Sequence, residues 1–322
     1  MPLALYRRDM PRLRRSNLRK PGFTRRDDGT FAGAGITKGD RDRAEALVIP
    51  PAWTDVWIAP QANNHIQATG VDDAGRRQYI YHPQWREKKD AAKFDRALQL
   101  AAVLPAARSK VTRSLRGEGA TRERVLAASF RMLDTGALRV GSERYAETNG
   151  SHGLSTLLGS HARVSGSTIA LAFPAKSGHE WSSEIDDADL AQAITTLKRR
   201  GAQSRLLAWR EESDWHIVAA DDINDYVREV TGGKFTAKDF RTLRGTVAAA
   251  ESLAAHGPEK TMSARNRALA QAMRDAADAL GNTPAVAKKS YVDPRVVAHY
   301  RKGRTIEAGQ GSADAALLRL LA

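Results

Sequence analysis

Near its end the chain reads PAVAKKSYVDP, which sets Tyr291 just after Lys288 and Lys289 and just before Asp293 and Pro294. It is one of seven tyrosines among 322 residues. A phenol placed among positive charges can act as a nucleophile toward an anion such as a phosphodiester. Its ordinary pKa of about 10 leaves roughly one in a thousand ionised at neutral pH, so it needs help. Attack on phosphorus builds charge on the non-bridging oxygens, which forked guanidinium groups can hold bidentately. The departing alkoxide needs a proton, and lysine suits that task because nearby cations lower its pKa. Such chemistry calls for two separated arginines, a lysine, a tyrosine and a further hydrogen-bond donor, brought together by folding.

Residues of these types sit at suggestive places. Arg139 lies in GALRVGSERY, just past a predicted helix end. Lys176 lies in FPAKSGHEW, at a turn between two predicted strands. Arg241 lies in KDFRTLRGT, near a predicted helix start, and Asn282 lies in LGNTPAV, ahead of Tyr291. Spacing alone does not single them out. With 51 lysines and arginines in the chain, chance can supply such a set, and a solvated surface charge is the alternative for each.

The elements that must position them fall into two blocks. Residues 21–88 read as β-rich: ALVIPPAW, DVWIAP, HIQATGV and RRQYIYH are short apolar or alternating runs, separated by turn-forming PP, QANN and DDAG. VDDAGRRQYIYH reads as a hairpin. A helical pattern starts near Lys88, and helices dominate from there. Apolar stripes run through Leu126, Phe130 and Leu133; through Leu190, Ile194 and Leu197 behind Asp186 and Asp187; through Ile223, Tyr226, Val227 and Val230 ahead of Gly232 and Gly233; and through Met262, Leu269, Met273, Ala276 and Leu280. These are core faces. STIALAFPAKSGHEWSSEI interrupts them as two strands around PAKSG. Asp293 and Pro294 read as the N-cap and first turn of a helix, PRVVAHYRKG. That would set Tyr291 just before a helix N-terminus, which favours phosphate.

Composition narrows the partners. A formal charge of +14 points to an anion such as nucleic acid, phosphate or a membrane surface. The chain has no cysteine, which excludes disulfides, thiolate nucleophiles and zinc–thiolate sites. No apolar run reaches the roughly 20 residues a membrane span needs. The basic start, MPLALYRRDMPRLRRSNLRK, lacks the apolar core of a secretory signal. It reads as a basic arm, either free in solvent or touching phosphates. The eight histidines show no metal-ligand spacing, so no metal is assigned. TGGKF lacks the spacing and the upstream strand of a phosphate-binding loop, so no nucleotide and no other cofactor is assigned.

These segments resemble the type IB DNA topoisomerases of the poxvirus and bacterial kind. PPAWTDVWIAPQANNHIQATGVDDAGRRQYIYH is similar to that family's N-terminal domain. LRVGSERYAETNGSHGLSTL, FPAKSGHEW, KDFRTLRGT and SYVDP are similar to its first-arginine, lysine-hairpin, second-arginine and nucleophile segments. The matches follow the family's order from about residue 45 to about residue 300. The resemblance implies Tyr291 as nucleophile, Arg139 and Arg241 as phosphate clamps, and Lys176 as general acid. Asn282 falls where many members carry histidine; it can donate a hydrogen bond but cannot carry charge. Ser177 falls where several relatives carry aspartate. The resemblance also aligns Gln78, Tyr79 and Tyr81 with base readers of an N-terminal hairpin, and Tyr145 with a further DNA contact. Packing within a strand is the plain alternative for those aromatics. Lys288 and Lys289 are expected to hold the DNA backbone without reading sequence.

The expected fold is α+β. A basic arm over residues 1–20 precedes a small, mostly β DNA-binding domain over 21–88. A larger, mainly α catalytic domain with a small sheet follows over 89–322. The resemblance implies that the two domains form a clamp around double-stranded DNA. The expected activity relaxes supercoils through a transient 3′-phosphotyrosyl break in one strand, without ATP or metal. A soluble, cytoplasmic, nucleoid-associated monomer with no membrane partner is expected. Two rivals remain. A tyrosine recombinase uses a similar set but carries histidine three residues before its second arginine, where this chain has Lys238. A basic DNA-compaction protein would explain the charge but not the ordered motifs.

Overall fold

The structure, a computed structural model, describes residues 12–307, 309 and 311–322, the Ser177 side chain excepted. The first eleven residues of the expected arm and the Ser177 side chain therefore lie outside the described residues. The architecture is α+β, and the chain divides after Ala92 into two compact units.

The first unit is built on three antiparallel strands in sequential order. Two short strands, β1 (Thr24–Arg25) and β2 (Phe31–Ala32), and a helix α1 (Lys38–Ala46) precede them. The sheet comprises β3 (Thr54–Ile58), β4 (Ile66–Val71) and β5 (Arg77–Tyr81). β4 and β5 pair as the expected hairpin, with Gly70 opposite Gln78 and Val71 opposite Arg77. Phe23, Ala44, Val56, Ile58 and Ala68 pack into its own small core. ALVIPPAW is not a strand. Its first residue ends α1, and Val48 takes a positive φ of 49° and is 80% exposed. The helix had a local signature: the Thr37 hydroxyl accepts from the Asp40 N–H, and the Asp40 carboxylate accepts from the Thr37 N–H. Residues 12–20 are held to the sheet rather than free: Arg14 bridges Asn64, and the Ser16 hydroxyl bonds the main chain of Ile66.

The second unit is mainly helical. Long α2 (Pro83–Leu115), within which the division falls, leads to α3 (Arg122–Gly136) and α4 (Glu143–Asn149). A three-stranded antiparallel sheet follows: β6 (Ala162–Ser165), β7 (Thr168–Pro174) and β8 (Glu180–Asp186). After α5 (Ala188–Lys198) comes a small hairpin, β9 (Ala208–Glu211) with β10 (Asp214–Ile217). The remainder is α6 (Ala220–Thr231), α7 (Ala237–His256), α8 (Met262–Leu280), α9 (Pro284–Ser290), α10 (Pro294–Arg301) and α11 (Ala313–Leu321). The stripes on α3, α5 and α6 are buried as their periodicity predicts. On α8 the stripe is shorter than read: Met273, Ala276 and Leu280 are buried, but Met262 is 76% exposed. It is the first helical residue, where a side chain has no preceding turn to pack beside. Phe130 on α3 meets Phe240 on α7 edge to face at 5.2 Å and locks those two helices at the centre of the core.

Candidate active site

Helix α7 carries Arg241, and its start is fixed before it reaches that residue. The Asp239 carboxylate accepts from the Thr236 N–H at 2.9 Å and from its hydroxyl at 3.1 Å. The buried Asp239 carboxylate also accepts from Arg96 Nε at 2.7 Å. Two residues on, Arg241 is only 3% exposed. Its Nη2 donates to Leu280 O at 2.7 Å and its Nη1 donates to Ala137 O. Those carbonyls end α8 and cap α3, so the buried cation sits where two helix dipoles are negative. Ala137 adopts φ 50°, ψ 29°, a left-handed conformation that costs an alanine about 1–2 kcal/mol. The turn gives Arg241 its carbonyl and leads two residues later to Arg139.

Arg139 reaches the same helix end. Its Nη2 donates to Asn282 Oδ1 at 2.6 Å and approaches Gly281 O at 3.4 Å. Two residues 143 positions apart in sequence are thus in contact. Two donors beside this junction lack an acceptor: buried Arg241 Nε and Asn282 Nδ2 make no hydrogen bond. A buried donor without a partner is costly unless something supplies an acceptor.

Tyr291 caps the C-terminal end of α9. The Arg241 guanidinium lies 5.3 Å from the centre of its ring. Burial alone would raise the phenol's pKa. The charge of Arg241, with the charges of Arg139 and Lys238, outweighs it and holds the pKa below the ordinary 10. Arg241 is itself drawn down to about 10, first by burial and then by Arg139, so it stays cationic at neutral pH. Burial also lowers Arg139, with Tyr291 opposing. Tyr291 does precede a helix, α10, but that N-terminus is not open to phosphate. Its N-cap Asp293 is 1% exposed and paired with Arg295 Nη2 at 2.7 Å.

The fourth candidate comes from the sheet. Phe173 on β7 pairs with Trp181 on β8, and this register sets Lys176 in the connecting turn, exposed. Trp181 packs on the α8 C-cap so closely that a Cβ at Gly281 would lie 2.7 Å from its ring. Arg139, Lys176, Asn282 and Tyr291 thereby line one cavity of about 840 Å³, with His179 and Trp181. The loop after α4 joins the two sides. The Leu154 N–H donates to Arg139 O, and the His152 N–H donates to Pro174 O. Gly153 between them lies against Gly141, where an added Cβ would stand 2.5 Å from Cα.

Some contributors escape a sequence reading. The Thr246 hydroxyl meets Tyr291 O at 2.9 Å and accepts from the Asp293 N–H at 3.1 Å. A Cβ at Gly245 would come within 3.0 Å of Tyr291 Cβ. Gly245 lies four residues after Arg241, on the same helix face, so this spacing was the one available signal. The motif's other arginine, Arg244, is engaged by Asp314 Oδ1 at 2.6 Å.

The remaining candidates do not line this cavity. In the first unit, strand alternation exposes Arg77, Tyr79 and Tyr81 on one face. The two tyrosine rings stack 5.9 Å apart. Gln78 turns to the other face and donates to Asp72 Oδ2 at 2.8 Å, so the three do not share one surface. Tyr145, on α4 of the second unit, is 47% exposed. Among the described residues no cluster of three His, Asp or Glu could hold a metal ion, and no helix is long and apolar enough to cross a membrane.

Comparison with known proteins fits this arrangement. Residues 82–311 match the family model of the catalytic core of eukaryotic DNA topoisomerase I. Residues 30–72 match that of the N-terminal domain of bacterial DNA topoisomerase IB. A DNA topoisomerase 1B of Acanthamoeba polyphaga mimivirus is 31% identical over 264 residues, covering 80% of this chain and 79% of that one. The chain belongs to the type IB DNA topoisomerase family, of the bacterial and viral kind.

Proposed function

We propose that this topoisomerase relaxes double-stranded DNA through Tyr291, which attacks a phosphodiester and forms a 3′-phosphotyrosyl link. The Tyr291 phenol gives up its proton to water, and its Oη–phosphorus bond forms as the bond from phosphorus to the 5′-oxygen breaks. Lys176 gives that oxygen its proton. Arg139, Arg241 and Asn282 stabilise the charge that develops on the non-bridging oxygens. The cut strand swivels, and the 5′-hydroxyl then reverses the attack. The link conserves the energy of the phosphodiester, so no ATP is needed, and the arginines and lysine supply the positive charge that a metal ion would otherwise provide. The exposed Tyr79, Tyr81 and Tyr145, with Gln78, act as DNA contacts, and Lys288 and Lys289 hold backbone.

The carrying observation is the pairing of Tyr291 with buried Arg241, beside two donors that lack acceptors. A non-bridging phosphate oxygen is the acceptor such donors suit. Supercoiled plasmid incubated with the protein in EDTA tests the reading. It should relax to a ladder of topoisomers, and the Tyr291→Phe variant should bind DNA without relaxing it. Recombined products would favour a recombinase, and retardation without change of linking number would favour a compaction protein.

A further inference from the structure

Residues 12–20 read RLRRSNLRK, five cations and no acid, and they lie outside both matched segments. The structure gives the segment a fixed place in the first unit. The Arg14 N–H donates to Asn63 O at 2.9 Å, and the His65 N–H returns to Arg14 O at 2.9 Å. Ser16 is bonded to both main-chain groups of Ile66, and Trp57 Nε1 donates to Lys20 O at 3.1 Å. The main chain is thus pinned at Arg14, Ser16 and Lys20 while the charged side chains point outward: Arg14, Arg15 and Lys20 are all exposed. Together with Asn17, Asn64 and Trp57 they line a hollow of about 280 Å³ whose wall contains no carboxylate. The catalytic cavity differs in this respect, because Glu180, Glu184 and Asp278 line it. Among the described residues, Arg15 and Lys20 find no ion-pair or side-chain hydrogen-bond partner. Their charge is uncommitted among the described residues.

We infer that the pocket formed by Arg14, Arg15 and Lys20 is a second anion site, which holds backbone phosphates of the bound DNA outside the catalytic cavity. Charge complementarity selects the occupant: a pinned cationic cradle with no competing acid suits a phosphodiester, read by charge and not by sequence. Pinning matters because the arginines need not be ordered from a free tail when DNA arrives. The inference does not depend on which residue is the nucleophile.

The test is the salt dependence of binding to a labelled duplex, with the full chain, for Arg15→Ala/Lys20→Ala. These side chains hold nothing in the fold, whereas Arg14 Nη1 bonds Gln61 and is left intact. The log–log slope should fall by about 0.9 for each phosphate that is no longer neutralised. Arg15→Lys/Lys20→Arg, which keeps the charge, should keep the slope. An unchanged slope in the alanine pair, or a fall in slope that the charge-preserving pair shares, overturns the inference. So does weakened binding to anionic phosphatidylglycerol vesicles with DNA binding untouched, which would assign the pocket to lipid headgroups.

Discussion

The hydroxyl of Thr246 holds the main chain on both sides of the proposed nucleophile, meeting the Tyr291 carbonyl at 2.9 Å and accepting from the Asp293 N–H at 3.1 Å. One hydroxyl has a single proton, so the contacts to the Tyr291 and Thr242 carbonyls share it. Thr246→Val keeps the shape and removes the hydroxyl. It leaves the buried Asp293 N–H without its acceptor, which should destabilise the fold by about 1–3 kcal/mol. Cleavage at saturating DNA should slow by up to about 10²-fold, the usual penalty for misplacing a reacting group. Thr246→Ser should restore both. Thermal melts and single-turnover rates check this, and a Val variant that cleaves at the wild-type rate contradicts it.

The lowered phenol of Tyr291 gives a pH dependence. A phenol held below its ordinary pKa ionises at lower pH, so cleavage should rise with pH and level off at a lower pH than an ordinary phenol allows. Removing Arg241 takes away the largest opposing charge while part of the burial remains, so the phenol in Arg241→Ala should titrate higher than in the wild type. Phenolate absorbance, taken as the difference from Tyr291→Phe in each background, reports the midpoint directly. A midpoint that does not move would separate Arg241 from the ionisation of Tyr291.

Asn282→Ala should be milder than Arg139→Ala or Arg241→Ala. Losing one neutral donor at a developing oxyanion costs on the order of 3 kcal/mol at most. Charge-assisted bonds are roughly twice as strong. Because Asn282 Oδ1 also holds Arg139, some of the Asn282 defect should come through that arginine. The double variant should then be less impaired than the sum of the Asn282→Ala and Arg139→Ala defects. Single-turnover cleavage rates decide the ranking, and an Asn282 defect exceeding both arginine defects reverses it.

Lys176 sits exposed in a turn, free to approach a leaving group. Lys176→Ala should cleave ordinary DNA about 10²–10⁴-fold more slowly, the range that general acid catalysis supplies. With sulfur in place of the bridging 5′-oxygen, the leaving group needs no proton, and the variant should recover most of its rate. Arg139→Ala and Arg241→Ala should not. If sulfur leaves the Lys176 defect undiminished, the proton donor lies elsewhere.

Local pattern carried the elements that bury a regular stripe or carry a cap. The Leu126–Phe130–Leu133 face, the Asp187 cap on α5 and the Asp293–Pro294 start of α10 all stand where their spacing set them. It failed where burial and period part company. Helix α1 buries only Ala44 and α4 buries nothing, so neither shows a stripe. The apolar run after α1 imitated a strand, although two prolines follow it. The site was legible as residue types but not as a geometry. The contact of Arg139 with Asn282, the grip of the Ala137 carbonyl on Arg241 and the packing of Trp181 on Gly281 join positions about a hundred or more apart. No local spacing records such contacts, and Thr246 stayed hidden because a threonine inside a helix has no signature of its own.

The central claim is that Tyr291 carries the covalent link. Trapping the cleavage complex on a labelled duplex, digesting the protein and sequencing the labelled peptide by mass spectrometry tests it most directly. The DNA 3′-phosphate should be found on the peptide that contains Tyr291, and Tyr291→Phe should yield no adduct while still binding the duplex. An adduct on any other residue, or one that survives in Tyr291→Phe, contradicts the account.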